Sequence, residues 1–267
     1  MRTLRLTIAY DGTRYAGWQV QQSQGKGPGA RGGGSSKPTI QGTLERAFAQ
    51  IVREPVRIVA SGRTDAGVHA LAQVAHVRTR TCLSTDRLVQ AVNHLLPPNI
   101  AVLTISDAAP AFHARFNAIA KRYRYRIFTG PVVSPFVALY VYQVRWPLNL
   151  GLMRREAAVL VGRHDVRAFA RAGGQGSTTR RLFAAQVRRV GPEIHLELTG
   201  DGFLHMMMRS IAGTLIDIGR GRLEPGRVRR LLRTGDRRLV GFTAPARGLT
   251  LLSVSYPARI RDQSRAN

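Results

Sequence analysis

Two apolar runs flank a ten-residue loop with the sequence Ser61-Gly62-Arg63-Thr64-Asp65-Ala66-Gly67-Val68-His69-Ala70. The runs, Val56–Ala60 and Leu71–Val77, are typical of β-strands, so the loop is predicted to join two strands. Its two glycines allow a tight, irregular turn. Between them an arginine and an aspartate stand two residues apart, in a chain with few carboxylates. The stretch therefore predicts a preshaped loop that presents one acidic and one basic side chain.

The chain carries a large excess of positive charge. Its 267 residues include 41 Lys and Arg against 15 Asp and Glu, a formal net charge of +26. A surface this basic attracts polyanions through the release of counterions, which favours nucleic acid as the partner. Membrane phosphates are a weaker candidate, because no amphipathic basic helix or lipidation motif accompanies the charge. A generic excess of arginine without a dedicated ligand is the remaining interpretation.

Several features favour a cytoplasmic protein that works without a cofactor. No stretch approaches the roughly 20 apolar residues that a membrane span needs. The chain start enters an alternating pattern directly, without the apolar core of a signal peptide. The single cysteine, Cys82, cannot form an intramolecular disulfide and is expected to be a buried residue that packs in the core. No metal-ligand spacing or nucleotide-binding motif is present, so neither a metal ion nor a cofactor is expected.

The first part of the chain predicts six elements in the order β-α-β-β-α-β, typical of a ferredoxin-like fold. The four strands are expected at residues 4–10, 56–60, 71–77 and 100–105. One helix is expected at residues 39–52, where apolar residues recur three and four apart, and a second begins at Ser84 as N-cap and ends before residues 97–98. Residues 23–38 are rich in glycine and serine and predict a flexible surface loop.

The second part of the chain repeats this pattern more loosely. Strands are expected at residues 122–127, 180–190, 193–199 and 249–256, and helices at residues 149–162, 203–218 and 228–232. We therefore expect an α+β protein of two ferredoxin-like halves, residues 1–110 and residues 111–258. The halves are expected to form one large antiparallel sheet with a central active-site cleft.

Four further motifs accompany the Ser61–Ala70 loop. They are Tyr10-Asp11-Gly12 with Gly17-Trp18-Gln19, Phe112-His113-Ala114-Arg115-Phe116 with Lys121-Arg122-Tyr123-Arg124-Tyr125, Phe203-Leu204-His205-Met206-Met207-Met208-Arg209, and Ala244-Pro245-Ala246-Arg247-Gly248-Leu249. In this order, and over nearly the whole chain, the five motifs resemble those of the tRNA pseudouridine synthase A family. The main departure is residues 23–38, which lengthen a loop that is normally short.

The resemblance implies an isomerase that converts uridine to pseudouridine at positions 38 to 40 of the tRNA anticodon stem-loop, without cofactor or metal. Asp65 matches the catalytic nucleophile, and Arg63 matches the arginine that takes the place of the extruded base. Tyr123 matches the residue that stacks on the target uracil, Arg209 the residue that pairs with the aspartate, and Leu249 a residue on the other face of the ring. The family also implies a homodimer whose subunits share one tRNA.

Other interpretations of these residues stay open. A non-catalytic RNA-binding protein on a ferredoxin-like sheet explains the charge, but the chain lacks the Lys/Arg-Gly-Phe-x-Phe run of RNA-recognition modules. A structural protein that binds polyanions explains the charge but not the motifs. Taken alone, Asp65 is typical of an Asx turn, Tyr123 of a core strand and Arg209 of a surface position. The residue types do not decide whether Asp65 attacks C1′, attacks C6 or removes the 2′ proton.

Overall fold

The computed structural model describes residues 1–20, 37–171, 173 and 176–258. Nearly all of the Gly- and Ser-rich stretch 23–38 lies outside the described residues. The described residues form two compact units, one within Met1–Asn117 together with Pro257 and Ala258, and one within Ala118–Tyr256. Ten strands and five α-helices lie in the described residues, which confirms the α+β class. None of these helices is both long enough and apolar enough to cross a membrane.

The first unit has the predicted order of elements. They are β1 (Arg2–Tyr10), α1 (Ile40–Val52), β2 (Val59–Ala60), β3 (His69–Thr79), α2 (Thr85–Leu95) and β4 (Ile100–Ala108). Strand β1 lies between β3 and β4 and is antiparallel to both, and β2 is antiparallel to β3. The loop that begins at Ser61 and carries Arg63 and Asp65 therefore connects β2 to β3.

Local chemistry accounts for these elements. Leu4, Leu6 and Ile8 of β1 are completely buried, as expected from their alternation with polar residues. Helix α1 begins after Thr39, whose hydroxyl accepts a 3.1 Å hydrogen bond from the Gly42 amide. Ser84 does the same for α2, as predicted.

Strand β2 is shorter than the predicted strand Val56–Ala60. Only Val59 and Ala60 pair with β3. The amide of Ile58 instead donates to the Glu45 carboxylate at 2.9 Å, and its carbonyl accepts from the Gln41 side chain at 3.1 Å. Because side chains of α1 satisfy both backbone groups of Ile58, that residue is not available to a sheet ladder.

The second unit contains the remaining elements. They are β5 (Ala120–Phe128), β6 (Tyr142–Gln143), α3 (Leu150–Ala158), β7 (Gly162–Asp165), β8 (Thr179–Val190), β9 (Glu193–Gly200), α4 (Met207–Gly219), α5 (Arg227–Thr234) and β10 (Leu249–Ser255). Its strands follow the antiparallel order β10-β5-β9-β8-β7, and the short β6 is parallel to β5. The predicted strands and helices are present, but α3 ends at Ala158 and not at residue 162, and the structure adds β6 and β7.

Helix α4 begins four residues later than the predicted helix 203–218. The residue before it, Met206, has a φ of 65°, a left-handed conformation that interrupts helical geometry. The carbonyl of His205 accepts a hydrogen bond from the Arg171 amide at 3.1 Å. Residues 203–206 are therefore a loop, and the prediction that His205 lies on the helix is wrong.

Cys82 is exposed, so the prediction that it is buried is wrong. It lies between β3 and α2, where threonine hydroxyls accept hydrogen bonds from backbone amides two residues later. Thr79 accepts from Thr81 at 3.1 Å and Thr81 accepts from Leu83 at 3.3 Å. These bonds shape a surface turn that leaves the thiol outside the core.

The arginines of β5 form ion pairs with two glutamates within the second unit. The Glu197 carboxylate on β9 binds Arg122, Arg124 at 2.8 Å and Arg188 at 2.9 Å. Glu193 binds Arg126 at 2.6 Å. Burial opposes ionisation of Glu197, but hydrogen bonds from the arginines outweigh it and lower the pKa of this carboxyl. The alternating arginines of β5 are thus structural partners of two glutamates.

Candidate active site

The loop between β2 and β3 presents Arg63 and Asp65 at the surface of the first unit. Arg63 is exposed and Asp65 is partly exposed. The Val68 amide donates to the Asp65 carbonyl at 3.2 Å, and Gly67 has a φ of 78°, which closes a tight turn. This is the preshaped loop that the two glycines predicted.

The residue before Asp65 is fixed through both its side chain and its backbone. Thr64 is 7% exposed, and its hydroxyl shares a 2.9 Å hydrogen bond with the Tyr10 hydroxyl at the end of β1. Its carbonyl accepts a 3.0 Å hydrogen bond from the Trp18 amide. Burial raises the pKa of Tyr10 to about 12, so this phenol stays protonated at physiological pH. Thr64 therefore ties the Asp65 backbone to the first strand and to the turn that follows it.

Gln73 holds the other end of the loop. It lies on β3 and is completely buried. Its amide nitrogen donates to the Gly62 carbonyl at 2.9 Å and to the Tyr10 hydroxyl at 3.5 Å, and its amide oxygen accepts from the Ser61 hydroxyl at 2.8 Å. A buried glutamine with satisfied hydrogen-bonding groups restrains the surrounding backbone. We call Tyr10, Thr64 and Gln73 the loop anchor.

Two glycines of the N-terminal motif lie directly against the loop backbone. A Cβ atom on Gly17 would lie 2.7 Å from the Thr64 carbonyl oxygen, and one on Gly12 would lie 2.0 Å from the Val68 carbonyl oxygen. Gly17 also has a φ of 97°, which disfavours any residue with a side chain. Only glycine permits this approach. The backbone of the Asp65 loop therefore packs directly against Tyr10-Asp11-Gly12 and Gly17.

The end of the loop is held by a buried histidine. The Nδ1 atom of His69 lies 3.1 Å from an Asp11 carboxylate oxygen and 3.2 Å from the Gly12 amide nitrogen. The same Asp11 oxygen accepts hydrogen bonds from the Thr13 amide, at 2.9 Å, and from its hydroxyl. The loop is therefore secured at both ends and in the middle by residues of the first unit.

The other three predicted site residues lie in the second unit. Tyr123 is a buried residue of β5 with a ring edge-to-face to Phe203, at 4.9 Å between centroids. On β10, Leu249 pairs with Tyr125 and Leu251 pairs with Tyr123. Tyr123 and Leu249 thus lie on neighbouring strands, and Leu249 is two residues away from the residue that pairs with Tyr123.

Arg209, in the first turn of α4, is connected to the segment that leads into β10. Its Nε donates to the Ala244 carbonyl at 2.8 Å, and its own carbonyl accepts from the Ala244 amide at 3.1 Å. The next residue, Pro245, accepts a 2.8 Å hydrogen bond from the Tyr125 hydroxyl. Residues 244–249, the last motif of the sequence, therefore link Arg209 to the strand that carries Tyr123.

The loop anchor is not predicted from the sequence. Tyr10 and Thr64 belong to the motifs of the sequence, but the motifs do not indicate that these residues hold the loop. Gln73 had a signal, because it and His76 are the polar residues of the apolar run Leu71–Val77. Among the described residues, no group of three His, Cys, Asp or Glu side chains is placed to hold a metal ion.

Comparisons with known proteins agree with the motifs. Residues 6–117 and 157–257 match the family model described as tRNA pseudouridine synthase. The chain is 44% identical to tRNA pseudouridine synthase A of Pelobacter propionicus and 43% identical to that of Moorella thermoacetica, each over 96% of this chain and 100% of the relative. A solved chain of a Cbf5-Nop10-Gar1 complex is similar over 92% of this chain and 57% of its own length, at a TM-score of 0.35 and 10% identity, too distant to bear on fold or function.

The family match covers parts of both units, and the two relatives align along their whole length. The matched residues include Arg63 and Asp65 in the first range and Arg209 and Leu249 in the second. Tyr123 lies between the two matched ranges. The chain belongs to the tRNA pseudouridine synthase A family.

Proposed function

We propose that this protein isomerises uridine to pseudouridine at positions 38 to 40 of the tRNA anticodon stem-loop, with Asp65 as the nucleophile. The observation that carries the proposal is the Asp65 loop. It presents a partly exposed carboxylate on a backbone held by Tyr10, Gln73 and Gly17. A reacting group held in one position lowers the entropic cost of reaching the transition state.

The reaction needs no water, because substrate and product are isomers. The N1–C1′ bond breaks, the uracil turns, C5 bonds to C1′, and the proton on C5 is lost while N1 gains one. Asp65 serves this sequence by attack on C1′, by attack on C6 or by removal of the 2′ proton. A carboxylate is suited to each of these roles.

The remaining site residues are assigned to the substrate. The target nucleotide must leave its stack, at a cost of roughly a few kcal/mol, and the exposed Arg63 takes the place of the extruded base. Tyr123 stacks on the uracil, an interaction worth about 1–3 kcal/mol per base. We assign Arg209 and Leu249 to the same substrate nucleoside. Their linked positions in the second unit support a shared role.

The finer architecture belongs to the same proposal. The first unit orders its strands β4-β1-β3 with β2 on β3, and the second orders the corresponding strands β10-β5-β9-β8, which supports two ferredoxin-like halves. We assign these halves to residues 1–110 and 111–258, and place the protein in the cytoplasm as a homodimer that shares one tRNA. Sedimentation of the protein with and without tRNA tests the dimer.

Release of tritium from tRNA labelled at C5 of uridine tests the function. Wild-type protein should release tritium from tRNA, and should release none from a transcript with cytidine at positions 38 to 40. Asp65→Asn should abolish release and retain tRNA binding. The matched control is Asp86→Asn, which changes an exposed aspartate of α2 and should keep full release. Release by Asp65→Asn would remove this carboxylate from the mechanism, and no release by wild type would favour a non-catalytic RNA-binding protein.

A further inference from the structure

Helix α5 presents an arginine face to solvent. Arg229, Arg230 and Arg233 are exposed, and we call these three residues the α5 arginine face. At 100° per residue they occupy one side of the helix, and Arg229 and Arg233 are separated by about 6 Å along its axis. The buried residues Val228 and Leu231 occupy the opposite side. The expectation that no amphipathic basic helix accompanies the charge is therefore wrong.

The helix is fixed in place by a buried carboxylate. Glu156 on α3 is 6% exposed, and its two oxygens accept hydrogen bonds from the amides of Gly226, at 2.6 Å, and Val228, at 3.0 Å. These amides belong to the first turn of α5, where no intrahelical acceptor is available. A carboxylate is favourable at this end of a helix. Glu156 thus sets the orientation in which the arginine face meets solvent.

The arginines of this face are not ion-paired with glutamates as those of β5 are. Within the described residues, no salt bridge involves Arg229, Arg230 or Arg233. The neighbouring Asp236 is bound by Arg238 at 2.9 Å and also interacts electrostatically with Arg230, and Glu224 is exposed before the helix begins. Holding three like charges on two turns of helix is unfavourable without a counter-charge. The surface therefore suits a ligand with several negative groups.

The chemistry of the face favours the phosphates of RNA over a membrane. A basic helix binds lipid by inserting its apolar side, but Val228 and Leu231 are completely buried inside the unit. The exposed groups of the face are guanidinium groups, which suit phosphate oxygens. Resting on the proposed function, we propose that the α5 arginine face binds backbone phosphates of tRNA outside the nucleotide that reacts.

The salt dependence of tRNA binding tests this surface. The triple variant Arg229→Gln/Arg230→Gln/Arg233→Gln removes the charge and keeps helix propensity. Plotted as log affinity against log salt, its slope should be shallower than that of wild type by about two to three units, roughly one for each phosphate that the variant no longer neutralises. Binding at low salt should weaken about tenfold or more. The triple lysine variant keeps the charge and should bind with a slope close to that of wild type.

A second triple variant controls for net charge. Arg53→Gln/Arg80→Gln/Arg87→Gln removes three exposed arginines of the first unit and should leave the slope within about one unit of wild type. An unchanged slope in the α5 glutamine variant overturns the inference. The inference is also overturned if the slope falls by the same amount in this control variant or in the lysine variant. Reduced binding to anionic lipid vesicles, with tRNA binding intact, would assign the face to a membrane instead. Tritium release by wild type is measured separately, so the proposed function and this inference fail independently.

Discussion

The hydroxyl groups of Tyr10 and Thr64 lie 2.9 Å apart, in a hydrogen bond that joins β1 to the residue preceding Asp65. The bond is buried and connects residues 54 positions apart in sequence. It gives a residue outside the reacting centre a direct hold on the loop that carries the proposed nucleophile.

Tyr10→Phe should therefore lower kcat and leave KM nearly unchanged. The variant removes one hydroxyl and keeps the ring, so the loop loses an anchor while the substrate-binding residues remain. We expect a fall in kcat of about tenfold to a hundredfold, the range for a small misplacement of a catalytic group. The free energy of unfolding should fall by about 1 kcal/mol. Steady-state tritium release and urea unfolding measure the two effects.

The control for this prediction is Tyr15→Phe. It also removes one tyrosine hydroxyl of the first unit, which donates to the Asn99 side chain at 2.7 Å, outside the loop. Its stability should fall by a similar amount while kcat is retained. Equal kcat values for Tyr10→Phe and wild type would show that the anchor is purely structural.

Gly17→Ala should destabilise the protein strongly. The added methyl group would meet the Thr64 carbonyl oxygen at 2.7 Å, and the backbone has a φ of 97°. Gly221→Ala is the matched control, because Gly221 has a φ of 77° and open space around it. We expect a loss of about 1 kcal/mol in the control, from backbone strain alone, and about 3 kcal/mol or more at Gly17. Equal losses by urea unfolding would mean that the loop yields to the methyl group.

Glu156→Gln should destabilise α5. The carboxylate accepts from two amides with two oxygens, whereas a glutamine offers one oxygen and turns an NH₂ group toward the other amide. An unpaired buried donor costs about 1–3 kcal/mol of unfolding free energy. Hydrogen exchange at the Val228 amide should speed up in parallel. Glu224→Gln changes an exposed glutamate nearby and should change neither quantity. If Glu156→Gln also leaves the free energy of unfolding and the Val228 exchange rate unchanged, Glu156 does not cap α5.

His76 should make the protein less stable in mild acid. Burial, followed by the charges of His113 and Arg78, lowers the pKa of its imidazole from 6.5 to about 4, and its Nδ1 accepts from the Ala114 amide at 3.2 Å. Between these values the unfolded chain binds the proton and the folded chain does not, so stability falls as the pH falls. The loss through His76 should reach about 2 kcal/mol at pH 5.

The variant His76→Asn isolates this effect. Asparagine keeps an acceptor near the position of Nδ1 and does not titrate, so urea unfolding at pH 7 and pH 5 should differ less than in wild type. His94→Asn, on the exposed side of α2, should keep the wild-type difference. An identical pH dependence in His76→Asn and wild type would exclude His76 as its source.

Much of the fold follows from local sequence. The alternation of Leu4, Leu6 and Ile8 predicts β1, the apolar period from residue 39 predicts α1, and the N-cap Ser84 predicts where α2 begins. These signals act over a few residues, so a single sequence contains them. The β-α-β-β-α-β order of the first unit follows in the same way.

Local patterns fail where distant groups compete for the backbone. Ile58 belongs to an apolar run, but Glu45 and Gln41 of α1 bind its amide and carbonyl and shorten β2. Residues 203–206 continue the apolar pattern of α4, but Met206 adopts a left-handed conformation. Neither the shortening of β2 nor the conformation of Met206 is indicated by the neighbouring sequence.

The candidate site divides in the same way. Asp65 and Arg63 stand out as a charged pair between glycines, and the family motifs supply Tyr123, Arg209 and Leu249. The loop anchor could not be predicted, because Tyr10, Thr64 and Gln73 are brought together only by the pairing of β1 with β3. A polar residue inside an apolar strand, such as Gln73, is the sign to look for.

The contacts of Gly12 and Gly17 with the loop set a condition for protein engineering. Because both glycines lie against loop carbonyl oxygens, the loop and residues 10–18 form one structural unit that must be kept together. A designer who transplants the Asp65 loop into another scaffold must move the N-terminal turn with it. A designer who diversifies the loop must keep both glycine positions unchanged.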